Sequence, residues 1–179
     1  MRAKREEIVG WVTEFLDLDG VRRERDLFND EILRWYELKQ KIETALFAKP
    51  PYEADKRRFI RIPNVSFASS FDDGISRSDG IIKEISEGGL FISTNDPSPA
   101  GTDLTVTLYL PQGEGFEAKE VNIHAKVVYT NFGSSMTAQS FNGMGLTLLT
   151  TTPKIEMEKW QEVMHKLLRE TAQTYSAHA

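Results

Sequence analysis

Lys49-Pro50-Pro51 divides this sequence, because two adjacent prolines lock φ, remove backbone donors and let no helix pass through them. On either side the apolar residues follow different periods, so two kinds of structure meet at that point. Upstream, Ile8, Trp11, Val12, Phe15 and Leu16 recur at i, i+3, i+4, i+7 and i+8 spacing, which predicts an amphipathic helix over Lys4–Leu18. Asp19-Gly20 reads as a turn or helix stop. Phe28, Ile32, Trp35, Leu38, Ile42, Ala45 and Leu46 then predict a second helix. The expectation is a two-helix arm over residues 1–48 and a proline-containing linker over 49–56.

Downstream the period falls to two. Val65, Phe67, Ser69 and Phe71 alternate against Ser66, Ala68 and Ser70 and stop at Asp72-Asp73-Gly74. Ile81–Ile85, Leu90–Ser93, Leu104–Leu110, Val121–Tyr129 and Gly143–Leu149 follow as short strands separated by Gly, Pro, Asn and Asp clusters. Six strands at hairpin spacing suggest a small antiparallel β-barrel. Thr152-Pro153 reads as an N-cap and first-turn proline for a closing helix, with the stripe Ile155, Trp160, Val163, Met164, Leu167 and Leu168. Residues after Arg169 read as a frayed end.

The residue inventory narrows the chemistry. No Cys is present, which excludes a disulfide scaffold, a Cys-ligated zinc or iron–sulfur site and a thiol nucleophile. His124, His165 and His178 fall in a strand, the last helix and the tail without ligand spacing, so neither a metal site nor a catalytic triad is expected. Phosphate-loop and dinucleotide glycine patterns are missing, and Gly143-Met144-Gly145 reads as a bulge or close backbone approach. An enzyme is not expected. The basic start Met1–Glu7 gives way to Trp11, Thr13, Glu14 and Asp17 before an export-signal core forms. No apolar run nears the roughly 20 residues that span a bilayer. A cytoplasmic protein without membrane insertion is expected. The net charge of -5 repels nucleic acid and anionic lipid, so any anion site must be local.

One local candidate is Lys56-Arg57-Arg58-Phe59-Ile60-Arg61, four cations within six residues where the linker meets the first strand. From Val65 to Ala179 the chain carries eight Lys and Arg against fourteen Asp and Glu, so this knot is the main positive element beside an acidic body. Arginine suits phosphate or a guanine O6/N7 edge, because the guanidinium is a planar fork of donors. Arg57 and Arg61 can reach one anion from two points in an extended or turning segment. A solvated charge run paired to Asp55 and the acidic helices explains the same residues. The second candidate is Glu84-Ile85-Ser86-Glu87-Gly88-Gly89-Leu90, a strand running into a two-glycine turn. Gly88 and Gly89 permit positive φ and leave backbone N–H groups unshielded. Glu84 and Ser86 would flank a shallow polar ledge, where a carboxylate accepts from guanine N1–H and N2–H donors. An ordinary hairpin turn is the alternative.

Together the two segments resemble the PilZ domain family, whose signature is Arg-x-x-x-Arg before the first strand and Asp/Asn-x-Ser-x-x-Gly some tens of residues later. Arg57-Arg58-Phe59-Ile60-Arg61 matches the first motif, and Glu84-Ile85-Ser86-Glu87-Gly88-Gly89, followed by Leu90-Phe91-Ile92, matches the second. Ala125–Tyr129, Gly143–Leu148 and the helix with Trp160 look like the family's later strands and closing helix, so the likeness covers roughly residues 55 to 170. It implies a mainly β chain, α+β overall. The six-stranded antiparallel PilZ-like barrel and closing helix would occupy 57–170, after the helical arm and before a flexible tail at 171–179.

The implied function is a bacterial cytoplasmic receptor for cyclic di-GMP, a ligand and not a cofactor, in second-messenger signalling of motility and biofilm formation. Arg57 and Arg61 would clamp phosphates and guanine edges, with Arg58 adding to the field. Ser86, Gly88 and Gly89 would form a ledge for guanine, with Glu84 in the place of the family's Asp or Asn. Ordering of the Pro50–Arg61 linker would re-set the arm against the barrel and alter binding to a protein partner. Glu84 is longer by a methylene than the family's residue, which changes its reach.

A second hypothesis is therefore a degenerate PilZ-like interaction module that binds no nucleotide and acts through its helical arm. The arm lies outside the resemblance, and its stripe with Trp11, Phe15, Phe28 and Trp35 calls for burial against the barrel, a second copy or a partner. An oligonucleotide-binding barrel conflicts with the charge, since Val65–Thr152 hold only Arg77, Lys83, Lys119 and Lys126 as Lys or Arg. DNA and RNA partners are not expected.

Overall fold

A computed structural model describes residues 3–48, 58–132 and 142–175. The linker expected at 49–56, Arg57 and the last four residues lie outside them. The chain divides into two units, Met1–Ile60 with His165–Ala179, and Arg61–Met164.

The first unit holds α1 (Arg5–Glu24), α2 (Asn29–Phe47) and the C-terminal part of α3 (Lys154–Thr174). Each N-terminal helix starts where a third-position glutamate accepts from a free backbone N–H, Glu7 from Lys4 at 2.7 Å and Glu31 from Phe28 at 2.8 Å. Helix α1 runs through Asp19-Gly20, where the sequence suggests a stop. Asp19 is buried and its carboxylate takes Arg22 and Arg23, one turn further on, so the residue serves the helix and does not end it. Helix α2 also departs from its expected stripe. Trp35, Leu38 and Ile42 are buried, but Lys39 and Glu43 are buried with them as a 2.9 Å ion pair, while Phe28, Ile32, Leu33 and Tyr36 are exposed. Phe15 packs on Trp35 with ring centroids 5.3 Å apart. Helix α3 extends to Thr174, beyond the expected fraying point at Arg169, because Leu168 and Ala172 are buried.

The second unit is a closed barrel of six antiparallel strands in the order β1-β2-β3-β6-β5-β4. These are β1 (Arg61–Asp72), β2 (Arg77–Ser86), β3 (Gly89–Ser93), β4 (Asp103–Tyr109), β5 (Glu120–Asn131) and β6 (Gly143–Leu148). Alternate positions such as Ile82, Ile92, Val106, Leu108, Ile123 and Met144 are fully buried and fill the interior, so the barrel is a packed core. Strand β1 begins at Arg61, earlier than the alternating stretch from Val65, and an irregularity between Pro63 and Phe67 carries Asn64 at φ 61°. A second irregularity interrupts the β2–β3 register between Ile82 and Glu84. Such bulges re-aim side chains at sheet edges.

The first part of α3 closes this unit. Trp160 is fully buried and its Nε1–H donates to the Ser86 carbonyl, while Glu156 accepts from the Asn122 N–H at 2.6 Å. Thr152, expected to cap the helix, spends its hydroxyl on β5: its Oγ1 accepts from the His124 N–H at 2.9 Å and donates to the His124 carbonyl at 3.1 Å. Ile155, assigned to the buried stripe, is exposed; the helix buries Trp160, Val163, Met164 and Leu168.

Candidate functional site

The barrel register decides which outward residues share a row. Arg61 on β1 stands opposite Ser86 on β2, Ser86 opposite Gly89 on β3, and Gly89 opposite Thr147 on β6. In the next row Pro63 faces Glu84, Glu84 faces Phe91, Phe91 faces Gly145, and Gly145 faces Tyr129 on β5. Arg61, Glu84, Ser86, Gly88 and Gly89 are therefore brought together where β1 starts and the β2–β3 hairpin turns. Arg58 belongs to the other unit, with its guanidinium carbon 5.1 Å from the Phe59 ring centroid.

Arg61 does not face solvent alone. Its Nη1–H donates to Glu84 Oε1 at 2.8 Å across the diagonal of the two strands, and the side chains remain 37% and 30% exposed. Cross-strand diagonal neighbours lie within reach of long side chains, and the β2 irregularity just before Glu84 sets its aim. The result is a fork of donors beside an acceptor on the outer wall of the barrel.

The turn beside this pair is rigidly bonded. Ser86 Oγ–H donates to the Gly89 carbonyl at 3.0 Å, and Trp160 binds the Ser86 carbonyl at 3.1 Å. The Gly88 carbonyl accepts from the Leu148 N–H at 3.0 Å and from Thr147 Oγ1 at 3.3 Å. Gly89 does not adopt positive φ; its requirement is steric, since a Cβ there would meet the Leu146 carbonyl oxygen at 2.2 Å. The ledge expected from the two glycines is thus a close strand-to-strand approach, with the Ser86 proton turned into the hairpin.

Sequence reasoning missed the aromatic pair next to it. Phe91 and Tyr129 stack at 6.4 Å between centroids on either side of Gly145, where a Cβ would meet the Tyr129 ring at 2.2 Å. Gly145, flanked in sequence by strand residues, was the available signal: a glycine inside a strand marks close approach by a neighbour. His124 is half-buried with Nδ1 3.2 Å from Thr151 Oγ1, and among the described residues no cluster of His, Asp or Glu forms a metal-binding group. Among the same residues no helix is long and apolar enough to cross a membrane.

The PilZ domain family model matches residues 55–158. The fold is shared with the Bacillus subtilis inhibitor of motility, MotI/DgrA, at 15% identity and a TM-score of 0.52, over 67% of this chain and 53% of that one. It is shared also with MrkH from K. pneumonia in its c-di-GMP complex, at 16% identity and a TM-score of 0.55, over 66% and 55%. The chain thus spans about half the length of these two proteins. No curated protein matches the sequence.

Proposed function

The chain belongs to the PilZ domain family, and from that premise we propose that it is a cyclic di-GMP receptor that couples second-messenger binding to a change in protein–protein interaction. The observation that supports this most is the Arg61–Glu84 pair at the β2–β3 hairpin, a guanidinium and a carboxylate both reachable from solvent. Guanine presents O6 and N7 acceptors to a guanidinium and N1–H and N2–H donors to a carboxylate, and the phosphodiester supplies further acceptors. Arg57 and Arg58 precede Arg61 by four and three residues and complete the cationic motif. Phe91 and Tyr129 add π-faces in the row of Glu84, of the kind on which bases stack. The roles of Ser86, Gly88 and Gly89 in this reading are to hold the turn at its fixed depth. No chemical step is involved, and the output is a changed contact with a partner in the control of motility or attachment.

Calorimetric titration of the whole chain with cyclic di-GMP tests the reading. Micromolar or tighter binding, lost in Arg61→Ala, is expected; silence in the wild type sinks it.

A second reading, an interaction module that binds no nucleotide, has its own support. Arg61 already has an anion in Glu84, and Leu33 and Tyr36 on α2 and Phe28 at its N-cap stand exposed. Under it, Arg61→Ala leaves partner binding untouched while substitutions on that face of α2 abolish it.

A further inference from the structure

An arginine meant to seize phosphate is more effective with its fork empty. Here one arm of Arg61 is bonded to Glu84 Oε1 at 2.8 Å, and the carboxylate stays 30% exposed, so its charge lies on the face an incoming anion must approach. An anion that takes Arg61 either displaces Glu84 or sits beside a like charge. A simple anion offers nothing to the displaced carboxylate. A ligand carrying donor N–H groups as well as acceptors satisfies both partners and recovers the lost bond.

We propose that Glu84 is the specificity-determining residue of this site, a built-in competitor that keeps simple phosphates off Arg61 and admits anions bearing a donor edge. This rests on the reading of Arg61 as the anion-binding group of the receptor. The geometry fixes the competitor in place: Glu84 follows the irregularity in β2, on the strand directly paired to β1, and it reaches the guanidinium diagonally past the Arg61–Ser86 pair. Both side chains are solvent-accessible, so the pair is exchangeable and not a buried structural bridge.

The test titrates inorganic pyrophosphate, at low ionic strength, into the full chain and follows the heat of binding by calorimetry. Wild type, Glu84→Gln, Glu84→Ala and the double variant Glu84→Gln/Arg61→Ala are compared, with a thermal melt to show that each folds. Pyrophosphate affinity is expected to rise about fivefold in both single variants, the scale of one exposed pair, and to vanish in the double variant. The gain should shrink in 1 M salt. An affinity unchanged within twofold in Glu84→Gln and Glu84→Ala overturns the proposal, as does a gain that survives loss of Arg61. Cyclic di-GMP titrated into wild type in parallel separates the two ideas. Silence there with the pyrophosphate gain present removes the receptor reading and keeps Glu84 as competitor. Binding there without the gain does the reverse.

Discussion

The indole of Trp160, 0% exposed, donates to the carbonyl of Ser86 at 3.1 Å. The first part of α3 thereby pins the hairpin that carries Glu84. Trp160→Phe removes this donor from the Ser86 carbonyl, a loss of about 0.5–1.5 kcal/mol for one hydrogen bond, and loosens the turn. A lowered melting temperature together with weaker cyclic di-GMP binding is expected. A variant as stable as wild type would show the bond to be idle.

Two glycines of the barrel face different obstacles, and their alanine variants should differ accordingly. At Gly89 the new Cβ meets the Leu146 carbonyl oxygen at 2.2 Å, a backbone atom locked in the β3–β6 ladder. At Gly145 it meets the ring of Tyr129, which is 47% exposed and free to swing outward. Overpacking against a fixed partner costs about 1–3 kcal/mol. Gly89→Ala is therefore expected to destabilise the chain clearly more than Gly145→Ala, as read by denaturant midpoint; equal losses would contradict the steric account.

Acid should act on the helical unit through Asp19. Burial by itself would raise the pKa of this carboxyl, but His165, Arg22 and Arg23 outweigh it and hold the group well below the usual carboxylate range. Arg22 and Arg23 approach to 2.8 and 2.5 Å. A folded-state value below the unfolded one stabilises the fold fully above the unfolded value, about 4, and the benefit drains away as pH falls toward the folded value. Urea unfolding at pH 7, 5 and 3 should show a loss confined to the lowest pH, and a smaller loss in Asp19→Asn. A wild type equally stable at all three would refute the assignment.

Lys39 and Glu43 place a 2.9 Å ion pair in the interior of the helical unit, 1% and 0% exposed, and Glu43 Oε1 has no hydrogen-bond partner among the described residues. Removing one member of such a pair strands the other charge and costs roughly 3–5 kcal/mol, whereas replacing both with apolar residues is often neutral or stabilising. Lys39→Met should unfold readily, and Lys39→Met/Glu43→Leu should recover most of the loss in the same urea experiment. A double variant no better than the single one would show that the pair does more than offset its own burial.

The barrel was legible because its evidence is local. Alternation in Leu104–Leu110 and Val121–Tyr129 states which residues face inward, and turn residues mark the ends, so all six strands could be placed, although β1 and β2 each begin four residues earlier than their alternation shows. The cations at 56–61 and the segment 84–89 were equally visible, since they are contiguous runs of residue types with few other uses. The helices were read less well where polar residues went inside. Lys39 and Glu43 look like solvent residues by type, and only pairing in the bundle makes their burial tolerable.

What the tertiary structure alone decided is who meets whom. Nothing in the spacing of Arg61 and Glu84 says that they touch; the bulges in β1 and β2 and the register between those strands put them 2.8 Å apart. Likewise Gly145 acquires its meaning only when β5 lays Tyr129 over it and β3 sets Phe91 beside it. By itself the sequence determined the strands and the presence of both motifs, because periodicity and contiguous residue types act over a few residues. The state of the site, an arginine already answered by a glutamate on the next strand, depends on contacts between segments distant in the chain, and those exist only after the barrel closes.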